Sequence, residues 1–206
     1  MKTLDEVQDD NFNAGYAAPN SMFEWLNDNL PTGSKILEFG SGTGTMELTK
    51  TFEVTSVEDN EQWLYLAQDS TYIYAPLVND WYDWQALEIL QDETFEAIII
   101  DGPYKTTDRV HLIDWINAYP NVFNQSRFVV VDDANQLDNW QFIQLFKQLG
   151  WELLHHDPGN VENCAHNWSV FVKIHECPEC GEEFNRFDDM IAVSYTHLTL
   201  PTTLTV

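Results

Sequence analysis

Basic residues are scarce in this chain. Nine Lys and Arg face 34 Asp and Glu among 206 residues, a formal net charge of -25. A surface of that sign repels phosphate backbones and disfavours nucleic acid as a partner. Cysteine is also scarce, with Cys164, Cys177 and Cys180 the only three, too few for a disulfide-built scaffold. No apolar run reaches the length of a membrane span. The first ten residues, Met1 to Asp10, carry no apolar signal core, so a cytoplasmic location without a membrane partner is expected. Disorder is excluded from the other side. Hydrophobic residues make up 44% and aromatics 14%, and a chain of this length can bury a full core.

What is present is an alternation of strand and helix signals. Ser21-Met-Phe-Glu24 reads as a capping box opening a helix with Trp25, Leu26 and Leu30, closed by Pro31 and Gly33. Strands are expected near 35–39, 53–57, 72–77, 96–101, 127–132, 151–155 and 168–174, and helices near 44–51, 60–69, 83–91, 108–118 and 136–149. Gly150 is placed to cap the last helix. The final strand pair flanks Asp157-Pro-Gly-Asn160, which suits an antiparallel hairpin. The pattern predicts an α/β fold, Rossmann-like and doubly wound: a mostly parallel seven-stranded sheet, an antiparallel edge hairpin and helices on both faces.

The most specific stretch is Lys35-Ile-Leu-Glu-Phe-Gly-Ser-Gly-Thr-Gly-Thr45. A buried strand carrying Glu38 runs into glycines at 40, 42 and 44, with Ser41 between the first two. Glycines permit a tight turn and a close ligand. A dinucleotide fingerprint would place its third glycine where Thr45 stands, and the G-K-[ST] ending of a phosphate-cradling loop is missing. Val54-Thr-Ser-Val-Glu58 reads as the second strand, ending in an acid 18 residues after Gly40 and followed by Asp59 and Asn60. A carboxylate there can accept both ribose hydroxyls of a nucleoside, or it can be a plain strand-end acid before a helix cap. Phe95 to Tyr104 is a strand ending in Asp101, and Arg127 to Ala134 is one ending in Asp132 and Asp133. Ligands of open parallel sheets bind beyond the carboxyl ends of the strands, so these acids mark a candidate site.

Glu38-Phe-Gly-Ser-Gly42, Val54-Thr-Ser-Val-Glu58, Ala75-Pro-Leu77, Asp101-Gly-Pro103 and Val130-Val-Asp-Asp-Ala134 stand in order along the chain. With them, the segment from about 18 to 174 resembles class I S-adenosylmethionine-dependent methyltransferases. The resemblance implies S-adenosylmethionine as cofactor, held by Glu38, Gly40, Ser41, Gly42, Gly44, Glu58, Asp59 and Asp101. It implies a methyltransferase acting on oxygen or nitrogen of a small-molecule or protein acceptor. A non-catalytic S-adenosylmethionine-binding protein is the alternative.

Asp101, Lys105 and Arg109 are the candidate catalytic residues. The two cations follow the fourth strand and could meet an anionic acceptor, or could be solvated loop residues. Asp101, Asp132 and Asp133 could hold magnesium or calcium through oxygen ligands, which would acidify an acceptor hydroxyl. That pattern is similar to catechol-type O-methyltransferases, although Asp133 stands where Asn is usual and Lys105 is displaced by one position. The simpler alternative has Asp101 orienting the reactants and the other two capping a helix. Trp81, Tyr82 and Trp84 could wall an adenine pocket or fill the core, and His155 and His156 read as a wet strand end.

The last part of the chain differs. Cys177-Pro-Glu-Cys180, followed by Phe184 and Met190, resembles the start of a two-Cys, two-His zinc finger, but the next ligand position holds Val193. Cys177 and Cys180 alone would form a zinc half-site. Val193 to Thr202 resembles one reading frame of a transposon-type sequencing adapter and contains no charged side chain. The expected organisation is an N-terminal extension (1–17), the methyltransferase-like domain (18–174), a truncated finger-like segment (175–192) and an adapter-derived tail (193–206). On this reading the chain is a truncated environmental sequence.

Overall fold

The computed structural model describes residues 18–103, 109, 111–134, 143–144, 146–159, 167–176 and 183–184. The N-terminal extension, Lys105, Cys177, Cys180 and the tail lie outside the described residues. The chain runs α1 (Asn20–Asn29), β1 (Lys35–Phe39), α2 (Thr43–Leu48), β2 (Glu53–Glu58), β3 (Thr71–Tyr74), β4 (Leu77–Val78), β5 (Trp81–Tyr82) and α3 (Trp84–Leu87). It continues through β6 (Ala97–Ile100), α4 (His111–Ala118), α5 (Pro120–Asn124), β7 (Phe128–Asp132), β8 (Trp151–Asp157) and β9 (Trp168–Lys173) to a short pair, β10 (His175–Glu176) and β11 (Glu183–Phe184). Among the described residues no helix is long and apolar enough to cross a membrane.

Seven strands form one sheet in the order β3-β2-β1-β6-β7-β9-β8. The β3-β2-β1-β6-β7 block is parallel, and β9 runs antiparallel to both β7 and β8. This is the expected Rossmann-like fold with its antiparallel edge hairpin. Strict alternation divides the apolar strands between two cores. Leu37, Phe39, Ile98, Ile100, Val129 and Val131 join one cluster, with Trp115, Phe123 and Phe146. Ile36, Ala97, Ile99, Phe128 and Val130 join the other, with Met22, Phe23 and Leu26 of α1. Burial on both faces explains why these strands read as unbroken hydrophobic runs.

Three expectations about local structure are corrected. Helix α1 starts at Asn20 behind Pro19, with no side-chain cap. The Ser21 hydroxyl instead accepts a hydrogen bond from the Trp168 indole at 3.0 Å. No helix forms over 60–69, where the chain makes successive turns. There Asn60 Oδ1 accepts from the Gln62 amide, and Tyr65 adopts a left-handed φ of 63° that a helix cannot contain. The third strand stops at Tyr74, and Leu77–Val78 folds back on Trp81–Tyr82 as a small hairpin. Its turn residues, Asn79 and Asp80, have φ of 53° and 64°, the conformation two-residue hairpins favour. Helix α4 ends at Ala118, as expected, and α5 begins at once with Pro120 in its first turn. Gly150, at φ 86°, has the left-handed geometry expected of a helix stop.

The ends of β1 and β6 approach so closely that side chains do not fit. The Phe39 carbonyl accepts both the Asp101 amide (2.9 Å) and the Gly102 amide (2.6 Å). A Cβ on Gly40 would lie 2.6 Å from the Gly102 nitrogen, and Gly40 also sits at φ 90°. Gly40→Ala should therefore destabilise the fold by about 3 kcal/mol or more, combining a left-handed penalty with a backbone clash. Urea unfolding measures this, and a loss below about 1 kcal/mol would mean the two strands separate easily.

Candidate functional site at the carboxyl ends of the parallel strands

Strands β2, β1, β6 and β7 lie side by side, and each carries an acid at its last residue or one position either side of it. Glu58, Glu38, Asp101 and Asp132 are thereby brought to one edge of the sheet. Glu38 is buried beneath the glycine turn. Its Oε2 accepts hydrogen bonds from Thr45 Oγ1 and Ser56 Oγ, both at 2.7 Å. Thr45 Oγ1 also accepts the Gly42 amide at 3.0 Å. Thr45, whose position marks the lost dinucleotide glycine, therefore fastens the turn to the buried acid. Burial pushes the Glu38 carboxyl up to about 7, against the lowering effect of Ser56 and Thr45.

Glu58 organises the next layer. Its Oε2 accepts the Ser41 amide at 2.7 Å and the Ser41 hydroxyl at 3.2 Å, and its Oε1 accepts the Asn60 amide at 2.7 Å. A carboxylate offers about four acceptor positions, so these contacts leave capacity on Oε1 for a further donor. Burial raises its pKa, while the Ser41 and Asn60 amides oppose the shift. Asp59 beside it is half-buried.

The glycines divide their tasks. Gly40 serves the contact with Gly102, and a Cβ on Gly44 would touch Phe23 at 3.4 Å, so it packs α2 against α1. Gly42 is different. A Cβ there would meet no atom within 4 Å, so its α-carbon faces open space beside Ser41.

On β6 and β7 the acids pair with each other. The Asp101 and Asp132 carboxyls are close enough to act on each other, and both have raised pKa values, chiefly through burial. Asp132 is 6% exposed and its Oδ1 has no hydrogen-bond partner, whereas Asp101 keeps a partly exposed surface. Asp133 adopts a left-handed conformation, φ 55°, and its amide donates to the Asn167 carbonyl at 2.8 Å. Among the described residues no group of three or more His, Cys, Asp or Glu is arranged to hold a metal ion. The expected Asp101, Asp132 and Asp133 coordination set is accordingly not assembled here.

Arg109 is a correction. It is buried, not turned to an acceptor. Its Nη1 donates to the carbonyls of Ile100 and Asp132, both at 3.1 Å, and its Nη2 donates to the Asp101 carbonyl at 2.7 Å. The guanidinium ties the ends of β6 and β7 together. Trp81 and Tyr82 are fully buried in the first core beside Phe39, while Trp84 is half exposed. Tyr82 was legible only as an aromatic. Its hydroxyl lies 2.3 Å from where a Gly102 Cβ would stand and has no hydrogen-bond partner. His155 stacks between Trp25 and Trp168, away from the acids.

A surface cleft of about 480 Å³, lined by Lys35, Glu96 and Arg127, lies at the opposite, amino-terminal ends of the strands. It is remote from every acid described above.

No protein-family model and no curated protein sequence matches this chain. Solved structures do. Aeropyrum pernix fibrillarin with natively bound S-adenosyl-L-methionine matches with a TM-score of 0.53 at 12% identity, over 77% of this chain and 76% of that one. A putative methyltransferase from Streptococcus mutans in complex with SAH gives 0.52 at 14% identity, over 74% and 95%. Magnesium protoporphyrin IX methyltransferase from Synechocystis PCC 6803, with bound SAM, gives 0.53 at 13% identity, over 84% and 86%. This chain shares their fold.

The raised carboxyl of Glu38 has a measurable consequence. Between its ordinary value of 4.5 and its folded value of about 7, the folded state binds the extra proton. Its contribution to stability is thus full below 4.5 and is lost as pH rises through about 7. Asp101 and Asp132 shift in the same direction. Without ligand, the melting temperature should fall between about pH 4.5 and 7. Glu38→Gln should shrink that fall, each kcal/mol recovered being worth about 2–4 °C at this size. Tryptophan-monitored melting at a series of pH values checks it, and a melting temperature that rises with pH contradicts it.

Proposed function

We propose that this chain is an S-adenosylmethionine-dependent methyltransferase whose donor lies over Gly42 and against Glu58. The observation that carries this is the open space at Gly42 beside a strand-end carboxylate with acceptor capacity left on Oε1. The fold shared with proteins solved with S-adenosylmethionine or its product supports it. The donor set fits the ligand. Glu58 can accept ribose hydroxyl protons, and the acids at this edge match the positive charge of a sulfonium and an α-ammonium.

Bound S-adenosylmethionine supplies an electrophilic methyl group. The protein's work is then alignment and charge. Glu58 and the Ser41 turn fix the nucleoside end, and Gly42 leaves the backbone bare for close approach. Asp101, partly exposed at the end of the neighbouring strand, faces the side where an acceptor would enter and can receive its proton. Holding two reactants in line supplies on the order of 7 kcal/mol of rate acceleration. The acceptor is a small molecule or a protein group. A protein with this surface charge is a poor partner for nucleic acid unless a cation intervenes.

Calorimetry should find binding of S-adenosylmethionine and S-adenosylhomocysteine and none of NAD. Gly42→Val should leave the melting temperature within about 2 °C yet weaken S-adenosylmethionine at least about tenfold, a loss near 1.4 kcal/mol. Glu58→Gln should cost about 1.5–3 kcal/mol of binding. NAD binding in place of S-adenosylmethionine, or a silent Gly42→Val, would remove the proposal.

A further inference from the structure

At the ends of β6 and β7 the local charge is left unbalanced. Asp101 and Asp132 stand next to each other on these strand ends, and Asp101 raises the pKa of Asp132 beyond what burial alone would do. Glu38, Glu58 and Asp133 stand close enough to act on this region electrostatically. Among the described residues Arg109 is the cation at this edge, and its hydrogen bonds go to the carbonyls of Ile100, Asp101 and Asp132. Its donors are thus turned to the backbone.

Two buried polar atoms here have no partner. One is Asp132 Oδ1. The other, independent of the carboxyls, is the Tyr82 hydroxyl, fully buried and lying against Gly102, one residue beyond Asp101. A buried hydroxyl or carboxyl oxygen left unpaired has lost its hydration without replacement. Both atoms can accept a hydrogen bond. A ligand that brings donors and positive charge would satisfy them together. An anion would be repelled, and a neutral hydroxyl would leave the charge uncompensated.

We propose that the acceptor site takes an organic ammonium, a cationic amine whose N–H groups are received by the Asp101–Asp132 pair and the Tyr82 hydroxyl. This rests on the methyltransferase reading and narrows its acceptor to a nitrogen. For transfer, the ammonium gives one proton to the carboxyl pair, which loses one negative charge. The freed nitrogen lone pair forms the bond to the methyl carbon while the carbon–sulfur electron pair leaves with sulfur. The sulfonium's positive charge passes to the methylated nitrogen, and the thioether departs neutral. The proton returns to water through the exposed surface of Asp101.

The test compares three probes of like shape, 2-phenylethylamine, 2-phenylethanol and 3-phenylpropanoate, by calorimetry on the full chain, with and without saturating S-adenosylhomocysteine. The amine should bind at least about tenfold more tightly than the alcohol, and the carboxylate should not bind. Asp132→Asn and Tyr82→Phe should each weaken the amine about tenfold while leaving S-adenosylhomocysteine affinity within about twofold. Asp114→Asn, on the exposed face of α4, should change neither. Equal binding of alcohol or carboxylate, no binding of the amine, or an amine affinity indifferent to both variants overturns the proposal. Should Asp132→Asn fail to fold, the probe ranking and Tyr82→Phe decide. Loss of S-adenosylhomocysteine binding with the amine ranking intact would sink the donor assignment instead.

Discussion

The close approach of β1 and β6 governs the rest of the candidate site. One carbonyl, that of Phe39, receives two successive amides from the end of β6, and Gly40 and Gly102 meet where no side chain fits. That contact fixes the direction in which the chain leaves each strand. Beyond Gly40 it turns over Glu38, with Thr45 bridging the acid to the Gly42 amide. Beyond Asp101 it passes the Tyr82 hydroxyl. Arg109 then joins β6 to β7 through their carbonyls. Each acid is held by packing and backbone hydrogen bonds on rigid strands, which gives a site more precision than loops alone would.

Much of this was legible in the sequence for simple reasons. Buried parallel strands read as apolar runs, and an acid at the end of each run is conspicuous. The sheet and its antiparallel edge followed. The missed features were those in which one short polar side chain decides. The helix expected after β2 fails because Asn60 makes a local turn and Tyr65 is left-handed. Ser21 was read as a cap, but a tryptophan 147 positions away takes its hydroxyl. Arg109 is a surface cation by pattern and a buried tie by structure. A distant hydrogen bond leaves no periodic trace in a sequence. Thr45 was visible only as a missing glycine, though its β-hydroxyl suits a clamp on a buried carboxylate.

The way Arg109 is used sets the electrostatic character of the edge. A guanidinium facing Asp101 and Asp132 would form an ion pair with them and hold their pKa values down. Directed at carbonyls, it holds the strands together, and its positive charge only partly offsets the desolvation of the acids. Such a cluster does not favour the ligand-free fold. Proteins break their own packing rules chiefly where function requires it. Bringing a cation into this space relieves both the repulsion and the unpaired oxygens.

A cationic donor and a cationic acceptor raise a further constraint. Two positive charges about 4 Å apart repel by roughly 4 kcal/mol at an effective dielectric constant of 20. In-line transfer demands that they come at least that close, so a neutral environment would expel one of them. Carboxylates beside the acceptor lessen this penalty before reaction. In the proposed reaction the Asp101–Asp132 pair would then remove it by taking the proton, so that a neutral amine meets the sulfonium. The same pair that destabilises the empty protein would thus let both reactants share the edge. Its burial matters here, because a solvated carboxylate would bind the proton too weakly to free the nitrogen lone pair.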